Sequence, residues 1–281
     1  MTYRSLLVAL DQEPACAARV DVALRLAAKL DAHLVGLAPT GIVDLPMWPE
    51  ADPAVGQFAT RAASRLQAQA EQAAERFRAR CSSAGVKSFE AVVDAAAAVP
   101  SLIGHSHCSD LVILTQARPD TRDHASTREL VEQVVLQSAR PTLLLPYAGA
   151  VQTLGTRALV AWDDSREAAR ALWDALPLLR LAEQVEVASW KESAAVDDAR
   201  LAARLEALNR WLLWHGVSSR VHTEVSADIG IAEAMLSRAA DFSADLIVMG
   251  AYGHARWTER MLGGATRGLL DAMTVPVLMS H

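Results

Sequence analysis

ADLIVMGAYGHARWTERMLGGAT, Ala244 to Thr266, decides how the rest of the chain is read. Leu246, Ile247, Val248 and Met249 form an unbroken apolar run, the pattern of a strand covered on both faces. Gly250 and Gly253 punctuate the loop that follows and nine residues intervene. Gly263 and Gly264 then open a segment with helical spacing, Ala265, Thr266, Arg267, Leu269, Leu270 and Met273. A glycine has no Cβ, so its backbone reaches left-handed angles and comes close to a ligand. Successive N–H groups in such a loop converge on an anion, and the next helix adds its unpaired first-turn N–H groups and positive dipole end. Strand, glycine loop and helix start are therefore a phosphate-binding geometry. The alternative is a plain strand-to-helix connection whose glycines only allow tight turns. The Gly-Lys-Ser/Thr of a P-loop is absent, Gly263 being followed by Gly264 and Ala265, and so is G-x-G-x-x-G after a first strand.

The strand pattern recurs upstream. SDLVILT, Ser109 to Thr115, matches ADLIVMG, Ala244 to Gly250, at an offset of 135, and Pro141 matches Pro276 at the same offset. Leu6 to Leu10, ahead of Asp11, matches Leu159 to Trp162, ahead of Asp163, at an offset of 152. The chain is an internal duplication. The offsets differ by 17 (152 against 135), so the first copy carries extra residues, and the Pro- and Gly-dense stretch Pro39 to Gly56 is where they fall. It reads as a surface loop, with a lid or a partner surface as the alternative.

Strand and helix alternate throughout. In the first copy the strands are Leu6 to Leu10, Leu34 to Ala38, Phe89 to Val93, Leu111 to Leu114 and Thr142 to Leu145. Between them stand helices over Cys16 to Leu30, Phe58 to Ser82, Val99 to His107 and Thr127 to Ser138. The second copy repeats this with helices Ser165 to Leu179, Asp197 to His215 and Ile229 to Phe242, and strands Val185 to Ser189, Arg220 to Val225 and Val275 to Met279. Such alternation predicts an α/β chain of two tandem, doubly wound, parallel five-stranded sheets. The domains run over 1–147 and 154–281, joined near Tyr147 to Thr153. Pro141 and Pro276 cannot donate a ladder hydrogen bond, which confines the last strands to a sheet edge or a strand start. Apolar edges need cover, and mutual pairing of the two final strands would supply it, making the molecule an intramolecular pseudo-dimer.

Gly250-x2-Gly253-x9-Gly263, in a last strand-loop-helix ahead of an apolar strand with Pro276, resembles the nucleotide-binding signature of the universal stress protein (UspA-like) family. That resemblance implies a Rossmann-like fold with end-strand pairing and an adenine nucleotide, ATP or AMP, with Mg2+ held through the phosphates. It implies that Asp163 hydrogen-bonds ribose or the adenine edge, that the backbone near Ser189 reads adenine, and that Gly250, Gly253, Gly263, Gly264, Ala265 and Thr266 hold phosphates. In ATP-binding members a Ser or Thr follows the last glycine, whereas here Gly264 stands there; Thr266 keeps a hydroxyl at the helix start. In the spacer, His254 and Arg256, with Arg260, are candidate phosphate clamps. Asp163 could instead cap the following helix, with Asp164 and Ser165 as equal candidates.

At the same offset the first copy places Thr115, Arg118, Arg128 and Glu129 where the second has Gly250, Gly253, Gly263 and Gly264. No glycine survives, and a carboxylate stands where a phosphate would sit. The first copy is expected not to bind ATP, with Arg118, Arg122 and Arg128 as solvated side chains or holders of another anion.

A hydrophobic fraction of 52%, 21% charged residues and a net charge of −6 describe a globular chain with no general electrostatic reason to bind nucleic acid or an anionic membrane. Cys16, Cys81 and Cys108 are odd in number and free of C-x-x-C, which fits a reducing cytoplasm, and no apolar run approaches the ~20 residues of a bilayer span. His105, His107 and Cys108 read as a helix end rather than a metal site. Trp211 and Trp214, spaced i, i+3, are expected to pack against the sheet. No catalytic base, nucleophile or paired carboxylates stand out, so a nucleotide-responsive stress protein is expected rather than an enzyme. A structural or interaction module without nucleotide, a slow ATPase or a nucleotidyl-type transferase are the alternatives. Further association of tandem chains into a homodimer is left open.

Overall fold

In the computed structural model residues 2–42, 53–121, 123–191, 198–225, 230–251 and 264–281 are described. Each copy begins with a strand tied down by a carboxylate from far along the chain. Strand β1 spans Ser5–Ala9 and β4 spans Leu111–Thr115; Asp110, just ahead of β4, accepts hydrogen bonds from the N–H groups of Arg4 (2.7 Å) and Ser5 (3.0 Å). In the second copy β6 spans Arg157–Ala161 and β9 spans Leu246–Gly250. Asp245 there accepts from Thr156 (3.1 Å) and Arg157 (2.8 Å). The device recurs at the two sequence offsets, 152 for the strand start and 135 for the aspartate.

Contacts divide the chain into two compact units. One holds Tyr3–Thr115 with Glu129–Arg140, the other Gln116–Arg128 with Pro141–His281. In the first, β1 pairs in parallel with β2 (His33–Pro39) and with β4, and β2 with β3 (Phe89–Asp94). Its helices are α1 (Ala15–Leu30), α2 (Pro53–Ser83) and α3 (Ala98–Ser106), and α4 spans His124–Gln137. Leu6, Leu7, Val8, Leu111, Val112 and Ile113 are fully buried, as central strands covered on both faces must be.

In the second unit β6 lies between β7 (Gln184–Lys191) and β9, β7 pairs with β8 (Ser219–Val225), and β9 with β10 (Val277–Ser280), all in parallel. The helices are α5 (Arg166–Leu179), α6 (Asp198–Trp214), α7 (Ile231–Asp241) and α8 (Gly264–Ala272). Strand β5 (Thr142–Leu145) closes the far side of β10, antiparallel, with Val277 opposite Leu144 and Met279 opposite Thr142. It belongs to the first copy by sequence and to this unit by contact. Pro141 and Pro276 each precede their strand, so of edge and strand start the second applies, and the two apolar final strands cover one another.

Two local expectations change. Helix α2 starts at Pro53, inside the stretch read as loop, because a proline's fixed φ and missing N–H suit a helix's first turn. Trp214 does not pack on the sheet: it is 80% exposed, while Trp211 is half-buried against Trp173, ring centroids 6.1 Å apart. The buried stripe of α6 runs through Leu205 and Leu212, and two residues past Leu212 is about 200° around the helix, which turns Trp214 outward. No helix among the described residues is long and apolar enough to cross a membrane.

Asp110→Ala and Asp245→Ala each strip two backbone N–H groups of their acceptor and are expected to lower stability by about 2 kcal/mol. Urea denaturation checks this; a large effect at only one site would show that the copies are not held alike.

Candidate functional site

The chain leaves β6 for β7 on one side and returns to β6's other side only with β9. At such a reversal the connections diverge and a crevice opens beyond the carboxyl ends of the two strands. Asp163 follows β6 and Gly250 ends β9, so the structure brings these two predicted site residues to the reversal.

The exit from β6 is built by hydrogen bonds. Trp162 is buried and its backbone N–H donates to the Ala188 carbonyl (2.8 Å). Asp164 takes the left-handed φ of +63° and is ion-paired with Arg204. Ser165 caps α5, its Oγ accepting from the Ala168 N–H (3.1 Å). Of the three candidate caps Ser165 therefore takes the role. Asp163, exposed, orients it, its Oδ1 accepting from the Ser165 N–H (3.0 Å) and Oγ–H (2.6 Å).

Gly250 is required by packing. A Cβ there would lie 2.5 Å from both the Ala168 nitrogen and the Glu167 carbonyl carbon, because the first turn of α5 presses onto the end of β9. Glu167 is buried at that contact and ion-paired with Arg166. Burial pushes its carboxyl up; the Arg166 hydrogen bond and charge, its own backbone N–H and the His281 imidazole outweigh this and hold it below the ordinary glutamate value.

Ser189 lies buried in β7, in register with Thr223. Gly264, Ala265 and Thr266 form the first turn of α8, and Thr266 is buried. Gly253, His254, Arg256, Arg260 and Gly263 lie outside the described residues. Trp162 Nε1, Trp190 Nε1 and Ser280 Oγ are buried with no hydrogen-bond partner among the described residues. All three residues stand at or just past carboxyl ends of strands, where unused hydrogen-bonding capacity calls for an explanation.

The first copy is built differently at the same place. Arg19, only 3% exposed, donates from Nε to the Ala9 carbonyl (2.9 Å), from Nη1 to Thr115 Oγ1 (2.8 Å) and from Nη2 to Asp11 (2.6 Å). Asp11 matches Asp163 and Thr115 matches Gly250, so this guanidinium joins the ends of β1 and β4 across the equivalent crevice. Its counterpart at offset 152 is Ala171, fully buried. The sequence did carry a signal for Arg19: an arginine four residues before Ala23 and seven before Leu26, on the apolar stripe of α1. Arg118 instead binds Asp120 (2.9 Å), Arg128 binds Asp271 (2.8 Å), and Arg122 lies outside the described residues. The His-x-His-Cys run ends α3, with His105 Nε2 3.5 Å from Asp94.

Arg19→Ala would leave Asp11 and Thr115 facing one another without their shared donor. A loss of roughly 3 kcal/mol in urea denaturation is expected. Arg19→Lys should restore only part of it, because a single ammonium cannot span three acceptors in a fixed fork.

Residues 156–281 match the family model described as Universal stress protein family. None of the curated proteins matches the chain in sequence. Among solved structures the chain is similar to a universal stress protein from Archaeoglobus fulgidus, 17% identical with a TM-score of 0.69, over 98% of this chain and 95% of that one. It is also similar to a functionally unknown protein from Pseudomonas aeruginosa PAO1, 16% identical with a TM-score of 0.61, over 99% of this chain and 92% of that one. At these identities the likeness is one of fold.

Proposed function

We propose that the second copy, whose residues 156–281 match the universal stress protein family model, binds one adenine nucleotide, ATP or AMP, while the first copy binds none. The observation that carries the reading is the strand reversal at β6 and β9, with Asp163 on one side and a Gly250-x2-Gly253-x9-Gly263 spacing leading into α8 on the other. In this reading Asp163 meets the ribose or adenine edge and the backbone near Ser189 meets adenine. The N–H groups from Gly253 to Thr266, with His254 and Arg256, meet the phosphates, through which Mg2+ would be held. Occupancy is then the signal, passed to a partner through the nucleotide's different affinity for two states of the chain. The chemistry is binding rather than turnover.

A module of the same fold that holds no nucleotide is the second reading. Two features favour it: Gly264 stands where the signature that the loop resembles has a Ser or Thr, and Gly250 is already required by the packing of α5.

Native mass spectrometry and titration of the full chain with ATP separate the two. One adenine nucleotide per chain is expected, and Gly253→Val should abolish it while the thermal unfolding curve stays in place. No binding at millimolar ATP would establish the second reading, and sustained phosphate release would make the protein a slow ATPase. Gly250→Ala is the contrasting variant: it should lower stability, by about 2 kcal/mol or more, whether or not nucleotide is present.

A further inference from the structure

The duplication supplies an internal control for the surface of the second copy. Helices α2 and α6 end in the same way: the Val86 N–H donates to the Cys81 carbonyl (3.1 Å) after Gly85 at φ +68°, and the Val217 N–H donates to the Leu212 carbonyl (2.9 Å) after Gly216 at φ +79°. This register places Arg80, Ser82 and Ser83 of the first copy opposite Trp211, Leu213 and Trp214 of the second. Helices α1 and α5, related by the offset of 152, place Asp21 opposite Trp173 and Lys29 opposite Leu181. Asp21 and Arg80 are ion-paired across α1 and α2, and Trp173 and Trp211 pack at a tilt at the same position across α5 and α6. One scaffold thus carries a polar face in one copy and an aromatic and aliphatic face in the other. The fold does not require the apolar version.

That face is open. Trp214 is 80% exposed, Leu213 52%, Leu181 42% and Trp173 41%, and Trp211 packs on the rings of Trp173 and His215, centroids 6.1 Å and 4.3 Å apart. It lies where α5 and α6 lead into the starts of β7 and β8, at the opposite end of the strands from the crevice. The exposed fractions leave on the order of 450 Å² of apolar surface on each chain, as much as the largest patch of an ordinary monomer, where such patches are often functional.

We propose that this face is the contact through which two copies of the chain form a closed dimer. Two such faces together remove roughly 900 Å² from water through these side chains alone, so a modest polar rim brings the contact to the size of a small specific interface. The rim suits a copy of itself. Arg170 is paired with Asp174 (2.7 Å) and Arg210 with Glu206 (3.5 Å), so an identical face meets both signs of charge although the chain carries −6 overall. Because the corresponding face of the first copy is polar, each chain offers one such patch, and pairing about a two-fold axis stops at two chains. Trp214 is the anchor, a large ring that loses little conformational freedom on burial.

Sedimentation velocity of the full chain over a range of concentrations tests this. A dimer is expected. The double variant Leu213→Ser/Trp214→Ser, which writes in the residues of the first copy, should weaken it by roughly 30-fold or more with far-ultraviolet circular dichroism and thermal unfolding unchanged. A wild-type chain that stays monomeric overturns the proposal, as does a dimer the double variant leaves intact. A monomer that co-sediments with phosphatidylglycerol vesicles through Trp214 also overturns it, because the face would then meet lipid.

Discussion

The carboxylate of Asp245, holding the N–H groups of Thr156 and Arg157, fixes the start of β6 against the start of β9. Everything at the other end of these strands follows from that placement. With β6 and β9 adjacent and β7 on β6's far side, the strand order reverses at β6, and Asp163 and Gly250 come to stand at that one reversal although 87 positions separate them in the sequence (250 against 163). Charge-assisted hydrogen bonds to two successive backbone donors suit this task, being directional and stronger than neutral ones. Asp110 does the same for β1 and β4.

Duplication makes the two copies a comparison in which the frame is constant and the surfaces differ. At the crevice the first copy places Arg19, whose guanidinium satisfies a carboxylate, a hydroxyl and a carbonyl at once, where the second has the methyl of Ala171. A buried cation there has its three partners within the chain and needs no ligand, which agrees with the loss of all the glycines in the loop after β4. On the outer helices the exchange runs the other way, from an ion pair between Asp21 and Arg80 to the rings of Trp173 and Trp211. Each copy has specialised a different part of one scaffold.

Glycine 250 shows how one residue type answers several physical demands. Its place after an apolar run marks a loop for close ligand approach, yet the neighbour it admits is the first turn of α5. The close approach is real; the group that approaches is protein backbone. With Gly250 committed to helix packing, any phosphate contacts fall to the glycines beyond it.

Hydrophobic runs and their spacing are local properties, so the alternating strands and helices, the duplication and the apolar final strands were legible in the residues alone. The pairing of β5 with β10 also followed, since two apolar edges have few ways to be covered. The cap of α5 was narrowed only to Asp163, Asp164 or Ser165, because each could accept from a first-turn N–H and backbone geometry chooses among them. Arg19 stood on an apolar stripe with its three acceptors out of sight, one of them Thr115, far along the sequence. Trp214 looked like a core residue by its spacing from Trp211, and only the buried stripe of α6 turned it outward. What the chain determined by itself was which segments must be strands and helices and that they repeat, because those follow from the polarity of near neighbours. What tertiary structure alone decided was which side chains face one another across the strand ends and which face water, because those depend on distances between segments that no local pattern encodes.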